Sequence, residues 1–189
     1  MIDAAPLYRA LIADRRFSGS ALNVEGVVAR GDELLLFQRG NGAASAKNPA
    51  VNAIGRLSLR DFDRFLTGDA IPPPLTDVVQ VDLGNEAGVP YAFTDATLTP
   101  EGDVLFLASA EDSQNTLSDG AVFGTRVGIV DRAGGVRMGM LLDERGAPSR
   151  LKAEAIALDP RDSTRAWLVV DVDDPTRPSE LLEVRLTRG

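Results

Sequence analysis

Three stretches of the chain share one arrangement of polar and apolar positions. Each has a short extended segment with an acidic residue, then a turn, then a strongly apolar run, and the stretches cover residues 23–37, 94–107 and 152–170. In each, turn-forming residues separate two runs that favour β-structure, which predicts an antiparallel hairpin. The recurrence of this plan predicts a repeat architecture.

Further strand-like runs follow each hairpin. They cover residues 51–59 and 77–83, then 122–130 and 136–142, and finally 180–186. Helical periodicity is weak, and only residues 59–66 suit a turn or two of helix. We therefore predict an all-β protein of three four-stranded units, at about residues 17–84, 85–143 and 144–189. A β-sandwich built from hairpins is the alternative.

The units are somewhat longer than the roughly 40–50 residues of a four-stranded β-propeller blade, with the excess in loops, and we interpret each unit as one blade. Propellers usually have four to eight blades, so three blades cannot close a ring. An open arc would also leave strand edges unpaired. We therefore expect the whole chain to be one half-propeller domain, and two copies to join as a homodimer that closes a six-bladed 3 + 3 ring.

The third unit has only three strand-like runs. The apolar segment at residues 7–12 is a candidate for the missing outer strand, so that residues 1–16 would complete the last blade of a partner molecule. The alternative is that residues 1–16 form a loose leader.

Several short motifs carry a resemblance to a known group of proteins. They lie at residues 22–26, 38–41, 94–96, 110–113, 118–120, 171–175 and 178–179. By these motifs the chain resembles a group of bacterial six-bladed propeller proteins of unknown function, distantly similar to phytase-like esterase propellers. The resemblance extends from about Asn23 to Leu186 and implies that the three units are half of a ring.

The charge balance limits the partners that we expect. The formal net charge is −8, from 28 acidic and 20 basic residues, and on average it repels nucleic acid and anionic membrane surfaces. We therefore predict neither nucleic acid nor membrane as a partner. The first 16 residues contain no apolar run that suits a signal peptide or a membrane span, which favours a cytoplasmic location.

The sequence contains no cysteine and no histidine. This excludes disulfides, thiolate nucleophiles, the Ser-His-Asp triad and metal sites with cysteine or histidine ligands. A bound metal would have oxygen ligands, so calcium or magnesium is the predicted cofactor if there is one.

Polar residues collect where the first strand of each hairpin begins and the second ends, which is one edge of an antiparallel pair. The residues of this predicted polar site are Asn23, Glu25, Arg39, Asp95, Glu111, Asp112, Lys152, Glu154, Asp171 and Asp173. Glu25, Asp95 and Glu154 occupy the same place in the three stretches, so in a propeller they would surround the axis as an acidic funnel. Acids that lie close together raise one another's pKa values. A cation bound by these three carboxylates would relieve the repulsion, and a salt-bridge network that holds the blades in register is the alternative.

Three functions fit this pattern. The first is a module that binds a small polar ligand or a cation in the acidic funnel. The second is a metal-dependent hydrolase of small esters, lactones or phosphoesters, with a carboxylate such as Glu25 or Glu154 as base. The third is a structural fragment without activity of its own.

Overall fold

The computed structural model describes residues 2–68, 71–113, 120–174 and 176–187. Strands predominate among the described residues, and three short helices accompany them. The strands form antiparallel sheets, one of which curls into a half-barrel, and the all-β prediction is therefore confirmed. The chain divides into two compact units, whose described residues are 2–68 and 71–82 in the first unit and 83–113, 120–174 and 176–187 in the second.

The first unit contains one four-stranded sheet and three helices. Its strands lie in the order β1-β2-β3-β4, and every neighbouring pair is antiparallel. The elements in chain order are α1 (Ala5–Ala13), α2 (Arg15–Ser18), β1 (Val24–Arg30), β2 (Glu33–Gln38), β3 (Ala53–Ser58), α3 (Leu59–Thr67) and β4 (Thr76–Gln80).

The helices share a hydrophobic core with this sheet. The helical contribution is Leu7 and Leu11 of α1, Phe17 of α2 and Phe65 of α3, all buried. Leu34, Leu36 and Leu57 of the sheet complete the same cluster. The helix α3 begins where Ser58 Oγ accepts a hydrogen bond from Asp61 N at 3.2 Å, which is an N-cap that the apolar pattern alone does not reveal.

The prediction that residues 7–12 form a closing strand is wrong, because they lie within the helix α1. Leu7 and Leu11 are four positions apart, so on a helix they fall on one face and are buried together. Pro6 lies in the first helical turn, where a missing N–H costs no hydrogen bond. The segment was short and apolar, and periodicity alone does not separate strand from helix in such a run.

The second unit contains two sheets. The first has the order β5-β6-β7-β8-β9, and the other has the order β10-β11-β12. The elements are β5 (Asn85–Glu86), β6 (Val89–Leu98), β7 (Val104–Glu111), β8 (Val122–Val130), β9 (Val136–Met140), β10 (Lys152–Asp159), β11 (Asp162–Asp171) and β12 (Glu180–Arg185).

A second hydrophobic cluster joins these two sheets. Leu105 and Leu107 of β7 pack in one cluster with Ile156 of β10 and with Ala166 and Leu168 of β11, and all five are buried. Because side chains alternate along a strand, Leu105 and Leu107 point to one face of their sheet, as do Ala166 and Leu168 of theirs.

The prediction of four strands per unit holds for the first sheet only. The second sheet gains the two-residue strand β5. The third has, within the described part of the chain, the three strands that its three strand-like runs predict, and residues 7–12, the predicted source of a fourth strand in a partner molecule, are helical. The predicted strand at residues 122–130 and the predicted helical turns near residues 59–66 are confirmed. The arrangement of the sheets as propeller blades, and the dimeric ring, stay predictions.

Candidate functional site

Each sheet has a bulge in its first long hairpin. The strand register shifts between Val24 and Gly26, between Phe93 and Asp95, and between Ala153 and Ala155. The extra residues that have no direct cross-strand partner are therefore Glu25, Thr94 and Glu154. A bulge bends its strand and redirects a side chain, and bulges are frequent next to binding and active sites.

The bulges show that the three acids are not equivalent in position, because one of them is offset by one residue. Glu25 and Glu154 are bulge residues, whereas in the second hairpin the bulge residue is Thr94 and Asp95 is the next one. The positions of the turns agree with this alignment. Each bulge residue lies the same number of positions before the residue that precedes the turn, which is Arg30, Thr99 or Asp159. Comparing the three stretches of sequence did not reveal this shift, because an acidic residue lies at or next to the bulge position in every hairpin.

In the first unit, the bulge end holds a buried cation beside an acid. The Arg39 side chain is buried, and its Nη1 lies 3.5 Å from Oε1 of the half-buried Glu25. Arg39 N donates to the carbonyl of Asn23 at 2.8 Å, and Asn23 Nδ2 donates to Asn41 Oδ1 at 3.1 Å. The predicted neighbours Asn23, Glu25 and Arg39 are therefore brought together.

The Gln38 side chain makes hydrogen bonds to several backbone groups at this end of the hairpin. It is buried, and its Nε2 donates to the carbonyls of Ala21 and Arg39 at 2.8 and 2.7 Å. Its Oε1 accepts from Asn23 N at 2.9 Å. The side chain thus ties the segment before β1 to the end of β2. Gln38 was not among the residues of the predicted polar site, because an amide at the end of an apolar strand gives no distinctive pattern.

In the second unit, the bulge in β6 joins the second sheet to the third. Thr94 Oγ1 donates to the carbonyl of Ala153 at 2.8 Å. Asp95 Oδ2 accepts from Ile156 N at 2.7 Å. Glu154 lies half-buried between these two contact points on β10. The predicted residues Asp95 and Glu154 therefore belong to neighbouring strands of one seam, and part of the Asp95 carboxylate satisfies a backbone N–H.

The start of β10 and the end of β11 hold a second ion pair. Lys152 is buried and its Nζ lies 2.7 Å from Asp173 Oδ1. Asp173 N in turn donates to Asp171 Oδ1 at 3.0 Å. Asp173 has a φ of 50°, a backbone conformation that aspartate tolerates better than most residues. The register pairs Lys152 with Asp171, so these two predicted residues lie opposite each other at one end of the hairpin.

Glu111 and Asp112 mark the corresponding end of β7. Glu111 is buried, and its Oε1 accepts from Gly120 N at 2.9 Å. Asp112 is exposed, and its backbone N donates to the carbonyl of Ala121 at 3.1 Å. Both residues therefore hold the two sides of the loop that joins β7 to β8.

The contacts described above form four local groups. Glu25 lies in the first unit, whereas Asp95 and Glu154 lie in the second, so their convergence at an axis stays a prediction. Among the described residues, no group of three or more acids is placed to hold a metal ion. The calcium or magnesium site and the metal-dependent hydrolase therefore stay predictions.

A further buried group, around Tyr91, was not predicted. Burial raises the pKa of the Tyr91 hydroxyl, which lies 3.3 Å from Glu86 Oε2. The Arg126 guanidinium lies 4.2 Å from the centre of the tyrosine ring, and its Nη1 donates to the carbonyl of Leu83 at 2.8 Å. The members come from separate strands, so no local sequence pattern connects them.

Comparison with known proteins places the chain in a family. The matching family model covers residues 1–186. The chain belongs to the family of unknown function DUF6929. No curated protein and no solved structure is significantly similar to this DUF6929 chain. Within its described residues, no helix has the length and apolar character needed to cross a membrane.

Proposed function

We propose that this DUF6929 chain is a propeller-type binding module, whose bulged hairpin ends hold a small polar ligand. The observation that carries the proposal is the bulge that recurs in all three sheets at equal distance from the turn that follows. One such bulge would be a local adjustment. Three at matching positions support a repeated unit in which the same end of every hairpin has the same use.

The chemistry of the bulge ends supports a polar ligand. Arg39 with Glu25 and Lys152 with Asp173 each place a buried cation beside a carboxylate that is partly open to solvent. Such a pair offers hydrogen-bond donors and acceptors side by side, as a hydroxylated acid or a hydrated cation requires. A buried lysine or arginine is also held in position by its surroundings, which lowers the entropy lost when a ligand binds.

The proposal is tested by following backbone amide signals of the full chain in NMR spectra. The probes are calcium chloride, magnesium chloride and glucuronate, each added separately up to about ten millimolar, where weak binding is measurable. We expect at least one probe to shift the amides next to the bulge residues Glu25, Thr94 and Glu154. Glu154→Gln should weaken that response, and Glu144→Gln, in an exposed turn, should not. Amide signals that stay unchanged with all three probes would contradict the proposal.

A further inference from the structure

The strand β12 has the position in its sheet that β3 and β8 have in theirs. Each of these strands pairs with the second strand of its hairpin, which is β2, β7 or β11. On their other side β3 and β8 carry β4 and β9, whereas β12 is the last strand of its sheet within the described residues. The open edge of β12 is therefore where the other two sheets have one more strand.

The edge of β12 is regular. Its pairing with β11 runs from Glu180 to Arg185 without a bulge. The edge strand of the first sheet differs, because the β3–β4 pairing is irregular between Ile54 and Arg56 and Asp77 of β4 has a φ of 48°. Irregular edges resist pairing with another chain, and regular edges invite it.

The two faces of β12 are chemically distinct. Leu182, Val184 and Leu186 pack against the core between the second and third sheets. Leu181, Glu183 and Arg185 are exposed on the other face. Because Leu186 N donates to the carbonyl of Thr164 at 2.7 Å, the peptide groups of the even-numbered residues face β11. The N–H and C=O groups of residues 181, 183 and 185 therefore point towards the open edge.

We infer that β12 pairs antiparallel with β12 of a second copy of the chain, about a two-fold axis at Val184. The two sheets then continue into one another. This contact is independent of the proposed ligand, and it differs from the predicted ring closure because β12 pairs with its own copy and not with residues 1–16 of the partner.

The sequence of β12 is self-complementary in this register. Glu183 lies opposite Arg185 of the second copy, and by symmetry this charge pair occurs twice. On the core face, Leu182 lies opposite Leu186 of the second copy, so the apolar row of each sheet continues into the other. Directly opposite charges and apolar pairs are the contacts that stabilise neighbouring strands.

The neighbouring registers are less favourable. An axis at Glu183 or Arg185 places like charges directly opposite each other, which destabilises a strand pair. An axis at Leu182 places Leu181 opposite Glu183 and Val184 opposite Glu180. Registers with the axis between two residues would exchange the core face for the exposed face, because side chains alternate.

The first test is a charge exchange, read as mass in solution by light scattering at tens of micromolar. The unchanged chain should have twice the chain mass. Glu183→Arg and Arg185→Glu each place like charges opposite one another, and each should weaken the dimer about tenfold or more. The double variant Glu183→Arg with Arg185→Glu restores opposite charges and should restore the dimer. Glu144→Arg, an equal charge change in an exposed turn, should leave it intact.

The second test uses the absence of cysteine from the natural chain. Side chains that face each other across a non-hydrogen-bonded pair are close enough for a disulfide. Val184→Cys should therefore give a covalent dimer under mild oxidation. Leu182→Cys should not, because on that register its symmetry mate is about four residues away, or about 13 Å.

A monomer at one hundred micromolar would overturn the proposal. So would a dimer that persists in both single charge variants, since it would form through another surface. A double variant that stays monomeric while its circular dichroism spectrum is unchanged would also overturn it, because the register would be wrong. Equal crosslinking of Val184→Cys and Leu182→Cys would also show that the register is wrong and would overturn the proposal.

Discussion

The first and third sheets have the same hairpin but different surroundings. In the first unit, three helices pack against one face of the sheet, and the outer strand β4 is irregular and follows a proline-rich loop. In the third sheet, the edge strand β12 is regular, and Val169 and Leu181 on its outer face are 40% and 65% exposed. Segments adjacent in sequence cover the first sheet, whereas within the described residues the third sheet has a regular edge strand and exposed apolar residues on one face. We therefore expect the helices to matter most for the stability of the first sheet, and the edge of the third sheet to matter most for the proposed association.

The largest expected effect comes from removing the helical cover. Phe17 is fully buried between the helices and the first sheet, so Phe17→Ala should lower the free energy of unfolding by about 3–5 kcal/mol. Urea denaturation measures this loss. The control Tyr8→Ala, on the exposed side of α1, should change stability by less than about 0.5 kcal/mol. Equal losses in both variants would mean that the cover does not stabilise the sheet.

The next effect concerns the seam that supports the third sheet in place of helices. Asp95→Ala leaves the N–H of Ile156 without its 2.7 Å partner, which should cost about 1–3 kcal/mol. Asp95→Asn keeps an acceptor oxygen and should cost less. Asp112→Ala, at an exposed position in the same unit, is the matched control for the loss of a carboxylate. If Asp95→Ala and Asp112→Ala were equally stable in urea, the contact between Asp95 and Ile156 would not support the third sheet.

Much of the fold could be predicted from the sequence. Alternation of apolar residues and turn chemistry located the three hairpins, because both depend on residues adjacent in the chain. The helix α1 was missed, since its burial depends on a sheet formed far along the sequence. A local sequence pattern carries no information about that tertiary contact.

The candidate site could be predicted only in part. Asn23, Glu25 and Arg39 were grouped correctly, because the strands of a short hairpin bring them together. The Asp95 contact with β10 and the Tyr91 group could not be found this way, as each depends on how separate strands pack. The bulge at Thr94 was also hidden, because a bulge leaves no fixed sequence signature in this hairpin.

Acid should affect the third sheet more directly than the first. A backbone hydrogen bond from Arg161, together with the Arg165 side chain, lowers the pKa of Asp159 below its usual range, and hydrogen bonds from Thr164 lower the pKa of Asp162. A carboxyl group with a lowered folded-state pKa stabilises the fold above its unfolded pKa, and this contribution is lost as the pH falls through the folded value. Stability of the third sheet should therefore be level above about pH 5 and fall below about pH 4.

Trp167 reports this loss selectively, because it is the chain's single tryptophan and lies in β11. Its fluorescence during thermal melting should show a transition temperature that decreases between about pH 4 and pH 2. Asp159→Asn should flatten that decrease. A variant whose acid dependence matches that of the unchanged chain would show that this carboxylate does not contribute.

The smallest expected difference in stability is between changes at two adjacent residues of β12, one on each face of the sheet. Leu181 is 65% exposed on the outer face, so Leu181→Thr should change the free energy of unfolding by less than about 0.5 kcal/mol. Leu182 packs against the core, and Leu182→Thr should cost about 1–2 kcal/mol, since it removes apolar contact and brings a hydroxyl to a half-buried position. Both changes introduce a residue that suits β-structure, so strand propensity does not separate them. If Leu181→Thr were as destabilising as Leu182→Thr at concentrations where the chain is monomeric, the outer face of the third sheet would have to be covered within one molecule, and the contrast with the helix-covered first sheet would disappear.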